Sequence, residues 1–154
     1  MYLSVFMVKD NYGRFRNVAN ALVEDEMAST YTWILQCLTK ANNNIVPKAF
    51  WTDSELELIN AVLQVFSTTS HFYCLFHIWQ NIVKHLKSKL CSNFHNFSKA
   101  FYLCRNTLDV ESFEKQWESL IITFSECQRY MTKMYANRIS WARAYTSFQF
   151  NADI

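Results

Sequence analysis

The chain of 154 residues contains one glycine, one proline and few charged side chains, which make up 18% of it. With a single glycine and a single proline, the sequence offers no linker, and it contains no repeat or low-complexity segment. Hydrophobic residues make up 51% and aromatic residues 17% of the chain, which is enough apolar material for one substantial core. These proportions exclude an intrinsically disordered protein and predict a globular one.

Two further absences bear on location. No basic segment followed by an apolar stretch stands at the start of the chain, so we do not expect secretion, and the odd number of cysteines, five, fits a reducing compartment. The stretch from Leu58 to Val83 lacks Asp, Glu, Lys and Arg, but polar residues interrupt it too often for a bilayer span. We therefore expect a soluble intracellular protein without a membrane-spanning segment.

Acidic residues are missing from residues 58–108, where five basic ones lie: Lys84, Lys87, Lys89, Lys99 and Arg105. A second run without acidic residues holds Arg129, Lys133, Arg138 and Arg143. The net charge of +2 is too small to indicate nucleic-acid binding by itself, but two positive faces could meet phosphates. The alternative is that these residues form the solvated faces of helices.

The spacing of apolar residues predicts regular structure along the first 91 residues. Alternation on both sides of the turn-forming Asp10–Gly13 segment predicts a β-hairpin over 3–23. We then expect a helix over 28–40, a loop over 42–47, a strand over 48–52, a helix over 54–66, a strand over 71–74 and a helix over 75–90. Ser54 and Glu57 predict a capping box at the start of the helix over 54–66.

The rest of the chain has helical periodicity only, with helices expected over 93–104, 110–126 and 128–148. The predicted fold class is mixed α/β. Residues 1–91 form the α/β part, and residues 92–154 form a helical segment.

One group of residues could carry chemistry. Asp53 ends one predicted strand, and Cys74 follows the next one at the start of a helix. Cys74, His77 and Asn81 are spaced i, i+3 and i+7, so they share one face of that helix. Because side chains at strand ends can point to one place, we expect Asp53, Cys74 and His77 to converge.

These motifs resemble the Mutator-like element (MULE) transposase domain, whose signature is a strand ending in Thr-Asp, a helix, a turn, a strand and Cys-x-x-His. The match is FWTDSELELINAVLQVF followed by HFYCLFHIWQN, with Ser67 and Thr68 in place of the usual proline of the turn. Upstream, YLSVFMVKDNYGRFRNVANALVEDEMASTYTWIL is similar to the second and third strands and first helix of the family. Downstream, FEKQWESLI and YMTKMYANRISWARAYTSFQF are similar to its helical insertion and its Tyr/Trp-containing block.

The resemblance implies an RNase H-like core interrupted by a helical insertion, and the cleavage and transfer of DNA strands. In that chemistry three carboxylates (the DDE set) hold two divalent metal ions, magnesium or manganese. Asp53 matches the second carboxylate, and Cys74 and His77 match the supporting Cys-x-x-His pair. The implied partner is DNA, as transposon ends and target, the implied location is the nucleus, and the resemblance allows a homo-oligomer.

The chain also departs from the family pattern. The first carboxylate and its strand would precede the residues that match Tyr2 to Val8, and the third would follow Ile154. Asp10 is better explained by the hairpin turn, and Asp153 lacks the family context. We therefore expect an incomplete RNase H-like core without its first strand, which binds no metal stably and does not cut DNA by itself.

Several alternatives stay open. The rival function is a domesticated DNA-binding or transcription-regulating derivative, similar to the far-red-impaired-response family of plants. Cys74 and His77 could instead be core residues, or they could bind zinc together with Cys91 and His95.

The aromatic and basic residues have two interpretations each. Trp117 and Trp141 could stack on DNA bases or pack in the core. Lys84, Lys87, Lys89 and Arg138 are candidate DNA contacts, while the lysines could simply complement the negative end of their helix dipole.

Overall fold

The computed structural model describes residues 1–148, which fall into two compact units. The first comprises Met1–His71, and the second begins at Phe72. Four strands and seven α-helices lie in the described residues, so the predicted mixed α/β class is confirmed. Among residues 1–148, no helix has the length and apolarity needed to cross a membrane.

The first unit opens with an antiparallel hairpin of strands β1 (Tyr2–Lys9) and β2 (Phe15–Val23). Its turn is organised by Asp10, whose Oδ1 accepts the backbone N–H groups of Tyr12 and Arg14, both at 2.9 Å. Gly13 closes the turn at φ 76°, in the left-handed region where a side chain is strained. Asp10 is thus a turn residue, as the sequence predicts.

Two helices pack together in this unit, α1 (Ala28–Ala41) and α2 (Leu56–Val65). Ile34 and Leu35 of α1 and Ala61 and Val62 of α2 are buried in one hydrophobic cluster. The loop between α1 and the next strand turns through Asn43 and Asn44 at φ 53° and 61°, and asparagine tolerates this left-handed conformation.

The predicted capping box of α2 is wrong. The N-cap residue is Glu55, and no side chain caps the helix, which begins two residues later than predicted. Glu57 does not reach back to Ser54. Its Oε2 accepts the backbone N–H of Ala28 at 3.1 Å and so satisfies a free donor in the first turn of α1.

A second two-stranded sheet pairs β3 (Ala49–Thr52) with β4 (Ser70–Tyr73). Within the first unit, the backbone N–H of Ser70 donates to Lys48 O at 3.0 Å. The two hairpin strands form a sheet of their own. The RNase H-like core is not confirmed by these two small sheets and stays a prediction.

The second unit is helical after β4. Its helices are α3 (Leu75–Leu90), α4 (Phe94–Asn106), α5 (Val110–Thr123), α6 (Gln128–Ala136) and α7 (Arg143–Thr146). They enclose one hydrophobic cluster in which Phe97, Phe101 and Phe113 are almost completely buried. A face of α3 contributes Ile78, Ile82, Leu86 and Leu90, at the helical spacing that predicted this helix.

The long helix predicted over 128–148 is wrong. The chain leaves α6 at Asn137, makes a 3₁₀ turn over Arg138–Ser140 and resumes as α7. The break buries Trp141 and Ala142 in the cluster, and the Trp141 indole N–H donates to Met134 O at 3.1 Å. The same Met134 carbonyl also accepts the backbone N–H of Asn137 at 3.1 Å, so it ties both Trp141 and Asn137 to the last turn of α6. Likewise α5 ends at Thr123, before a 3₁₀ turn over Ser125–Cys127.

All five cysteines are unpaired. Cys37 on α1 and Cys91 after α3 are exposed, and Cys74 is partly buried. Cys104 and Cys127 are buried in the cluster of the second unit.

Candidate functional site

Asp53 directly follows β3 in the first unit and is partly buried. The buried Thr52 before it donates its hydroxyl proton to Asp53 O at 2.6 Å, and the Nε2 of His71 lies 2.8 Å from the same hydroxyl oxygen. Because the hydroxyl proton is committed to Asp53, His71 must be the donor, which places its proton on Nε2. Burial lowers the pKa of His71, so the imidazole is neutral at physiological pH.

The Asp53 carboxylate itself has one weak backbone contact, since its Oδ1 accepts the N–H of Glu55 at 3.4 Å. Tyr31 is a buried phenol on α1 whose pKa responds to acidic charge near Asp53. Burial raises the pKa of Tyr31 first, and the negative charges of Glu26, Glu55 and Asp53 raise it further. The Tyr31 hydroxyl also donates to Glu26 Oε1 at 3.3 Å. The charges of three carboxylates therefore keep this phenol protonated, and one of them, Glu26, is hydrogen-bonded to it.

This arrangement does not fit the implied magnesium or manganese site. A two-metal site needs several carboxylate oxygens aimed at a shared position. Within residues 1–148, no group of three or more His, Cys, Asp or Glu side chains is placed to hold a metal ion. We derive no metal-dependent step from these residues.

Three residues near Asp53 were not predicted as part of the site from the sequence: Tyr31, Glu55 and His71. One signal was available for His71: β3 and β4 are both short strands, so a polar residue in each, Thr52 and His71, could be expected to pair. No local pattern links Tyr31 to Glu55, because the two lie 24 positions apart in the sequence.

Cys74 and His77 lie at the start of α3 in the second unit. Cys74 is the N-cap residue, and its carbonyl accepts the N–H of Ile78 at 3.0 Å. His77 is exposed, with its ring 5.5 Å from that of Phe76, so it is not the core histidine of the alternative interpretation. The two side chains share one face of the first turn. Their predicted convergence with Asp53 stays a prediction.

The zinc alternative is wrong for these residues. Cys74 and Cys91 flank α3 at opposite ends, and 17 residues at 1.5 Å per residue separate them by about 25 Å. A zinc ion with ligands at roughly 2.0–2.3 Å cannot bridge that distance.

Three candidate DNA contacts, called the lysine row below, follow one another along the second half of α3: Lys84, Lys87 and Lys89. Lys84 and Lys87 share one face of the helix, and Lys89 lies on another. All three are exposed, and none forms an ion pair among residues 1–148. Lys87 and Lys89 lie in the last turn of α3, where positive charge also stabilises the helix.

Arg138, the fourth candidate, is engaged inside the protein. Its Nε donates to Glu114 Oε1 at 3.0 Å, and its guanidinium lies 3.9 Å from the centre of the Tyr135 ring. The hydroxyls of Tyr135 and Tyr145 donate to the same Glu114 carboxylate. DNA contact by Arg138 stays a prediction, but these partners give the residue a structural role that the lysine row lacks.

Trp117 and Trp141 are core residues, each 3% exposed. Their rings lie 5.6 Å apart, and both contact Phe113. Base stacking needs an accessible ring, so that interpretation of the two tryptophans is wrong.

Comparison with known proteins identifies relatives of the whole chain. The model of a family described as the MULE transposase domain matches residues 1–81. FAR1-RELATED SEQUENCE 10 of Arabidopsis thaliana is 27% identical over 142 residues, which are 92% of this chain and 21% of the relative. FAR1-RELATED SEQUENCE 11 of the same plant is 25% identical over 99% of the chain and 22% of its own length.

A third relative, FAR-RED IMPAIRED RESPONSE 1 of Arabidopsis thaliana, is 26% identical over 97% of the chain and 18% of its own length. The chain thus spans about a fifth of the length of the curated relatives it matches.

Proposed function

The chain belongs to the MULE transposase domain family, and we propose that it is a DNA-binding segment of a transposase-derived protein that does not cut DNA by itself. The observation that carries the proposal is the lysine row of α3, three exposed ammonium groups without an ion-pair partner in residues 1–148. Such groups are available to phosphate oxygens, and each neutralised phosphate releases bound counterions.

The helix dipole explains only part of this row. Lys87 and Lys89 stand in the last turn, where the dipole favours them. Lys84 lies nearer the middle of the helix, where that effect has fallen off. In addition, the dipole uses the charge of a lysine but none of its three donors, so Lys87 and Lys89 can contact phosphates as well.

The absence of cutting is proposed from the donor set around Asp53. The nearby charges of Glu26 and Glu55 act on the Tyr31 phenol, and they are not arranged with Asp53 as ligands of a shared ion. A single matching carboxylate supplies too few ligands for a two-metal reaction.

For the whole protein, we propose a domesticated DNA-binding regulator of the far-red-impaired-response type, located in the nucleus. The relatives in Arabidopsis thaliana support this assignment, because they match along almost the whole chain and not only over residues 1–81. A second candidate is a transposase that cleaves and transfers DNA strands. It is favoured by Asp53 at the carboxyl end of β3 and by the Cys74-x-x-His77 motif.

DNA binding is tested by fluorescence anisotropy of the chain with a labelled 30-base-pair duplex at several salt concentrations. Changing Lys84, Lys87 and Lys89 together to Gln should weaken binding and reduce the slope of log affinity against log salt by up to about 3, roughly 0.9 for each phosphate that is no longer neutralised. The matched control changes the exposed Lys40, Lys48 and Lys115 to Gln, with the same loss of net charge. Equal slopes for the two triple variants would refute the role of the lysine row.

Cutting is tested separately by incubating the chain with supercoiled plasmid and magnesium or manganese. We expect no more nicking than with the Asp53→Asn variant. Metal-dependent nicking that disappears in Asp53→Asn would overturn the proposed lack of cleavage, and it would leave DNA binding by α3 untouched.

A further inference from the structure

A shallow and open depression of about 710 Å³, called the α4 groove below, lies on the outer face of α4. Its lining includes His95, Lys99, Tyr102, Leu103 and Asn106, which follow one another at helical spacing. Leu103 is 70% exposed and Tyr102 is 37% exposed. An exposed leucine beside an exposed tyrosine is apolar surface that a partner can cover.

The edge of this groove is positively charged. The Arg105 guanidinium lies 5.3 Å from the centre of the Tyr102 ring, and its donors go to the neutral side-chain amide of Asn106 at 2.6 and 3.1 Å. Burial lowers the pKa of Arg105, and the positive charge of Arg143 lowers it further. Lys99 adds another positive charge within the groove.

No acidic residue on α4 neutralises the positive charge at this edge. Residues 58–108 contain no Asp or Glu. Asp109 is the next acidic residue along the chain, but its Oδ2 accepts the backbone N–H of Ser112 at 2.7 Å and caps α5. Lys99 and Arg105 therefore place positive charge beside the apolar surface of Leu103 and Tyr102.

We propose that the α4 groove binds an acidic amphipathic segment of a partner protein. Apolar side chains of that segment cover Leu103 and Tyr102, and its carboxylates meet Lys99 and Arg105. Recognition of an amphipathic helix by an apolar groove follows this pattern, with anchors at i, i+3, i+4 and i+7. Carboxylates complement the charge, which sets the orientation and speeds association.

Duplex DNA fits this groove less well than such a segment. Its backbone would satisfy the positive edge, but its phosphates and sugars would cover the exposed leucine with polar groups. The proposal goes beyond DNA binding by α3 and does not depend on it.

The test uses the full chain and a fluorescein-labelled 16-residue peptide with leucines at helical i, i+3, i+4 and i+7 positions and glutamates elsewhere. Leu103→Ser and Lys99→Glu should each weaken binding about tenfold or more, the equivalent of about 1.4 kcal/mol. The matched controls are Ile122→Ser, at a leucine-sized side chain 71% exposed on α5, and Lys133→Glu on α6. Both should change binding by less than about twofold.

Three outcomes would overturn the proposal: no binding of the peptide to the unchanged chain, no effect of Leu103→Ser and Lys99→Glu, or equal binding of a peptide with lysines in place of the glutamates. Loss of duplex DNA binding in Leu103→Ser would assign the groove to nucleic acid instead. The triple lysine variant of α3 separates the two proposals, because it should bind the peptide normally whether or not it binds DNA.

Discussion

The Glu114 carboxylate on α5 should be the most important polar group for the stability of the second unit. It accepts hydrogen bonds from the hydroxyls of Tyr135 and Tyr145 and from Arg138 Nε. These donors come from α6, from the 3₁₀ turn after it and from α7. One side chain thus ties three consecutive segments to α5.

The expected loss of stability follows from the hydrogen-bond donors that Glu114→Ala would leave without an acceptor. Hydrogen bonds to charged groups contribute about 1.5–3 kcal/mol each, but the Glu114 and Arg138 side chains are 34% and 27% exposed, so water can replace part of each bond. At about 1 kcal/mol per bond, Glu114→Ala should lower the free energy of unfolding by about 3 kcal/mol. Glu114→Gln keeps the size and one acceptor oxygen, so its cost should be about half of that.

The pH dependence adds a second test. Burial raises the pKa of Glu114, but hydrogen bonds from Tyr135, Tyr145 and Arg138 outweigh it, so the pKa is lowered from its ordinary value of 4.5. A carboxyl group whose pKa is lowered in the folded state stabilises the fold above the unfolded pKa, and it loses that contribution as the pH falls through the folded pKa. The difference in the free energy of unfolding between the unchanged chain and Glu114→Gln should therefore have its largest value at pH 7 and decrease below about pH 4.5.

The assay is urea unfolding followed by tryptophan fluorescence and far-UV circular dichroism, with separate transitions allowed for the two units. The matched control is Glu111→Ala, one turn earlier on α5. Glu111 pairs with Lys115 at 2.6 Å, but the two side chains are 77% and 73% exposed, so the cost should be about 0.5 kcal/mol or less. If Glu114→Ala and Glu111→Ala are equally stable, the reasoning is refuted.

The remaining predictions concern single positions. Because burial lowers the pKa of His71 below its ordinary 6.5, the stability of the chain should fall as the pH drops below about 6.5; His71→Gln should reduce this dependence in urea titrations and the exposed His95→Gln should not. Gly13→Ala should cost about 1–2 kcal/mol in thermal unfolding because φ is 76°, and Gly13→Asn should cost less; equal costs would contradict the conformational explanation. Phe97→Ala should lower the free energy of unfolding by about 3–5 kcal/mol. Phe76→Ala should lower it by less than about 1 kcal/mol, because the Phe76 side chain is 63% exposed. Similar urea midpoints for the two variants would contradict the burial of Phe97.

Local patterns were sufficient where one element carries its own signal. The helix predicted over 75–90 coincides with α3, since its apolar face repeats without interruption. The hairpin was predictable because its turn contains the only glycine of the chain, at a position that needs a positive φ. Asp53 was correctly placed after a strand for the same reason, as apolar residues end there.

The predictions failed where a distant residue decides the local structure. Glu57 had the spacing of a capping box, but it bonds to Ala28, which is 29 positions away. The helix over 128–148 had no glycine or proline to end it, yet burial of Trp141 outweighs helical continuity there. The neighbours of the Tyr31 phenol and of the Glu114 carboxylate could not be predicted from the sequence either, because they are brought together by tertiary packing and not by a local pattern.

The two buried cysteines, Cys104 and Cys127, both lie in the second unit, so their chemical modification can be used to follow the opening of that unit. Burial, helped by the charge of Glu114, raises the pKa of Cys104 to about 12, and burial also raises that of Cys127. Because the thiolate is the form that reacts, an alkylating reagent should modify the exposed Cys37 and Cys91 at once and reach these two only when the second unit opens. Residues 1–71 of the first unit hold no buried thiol, so the slow phase of alkylation times the opening motions of the second unit alone.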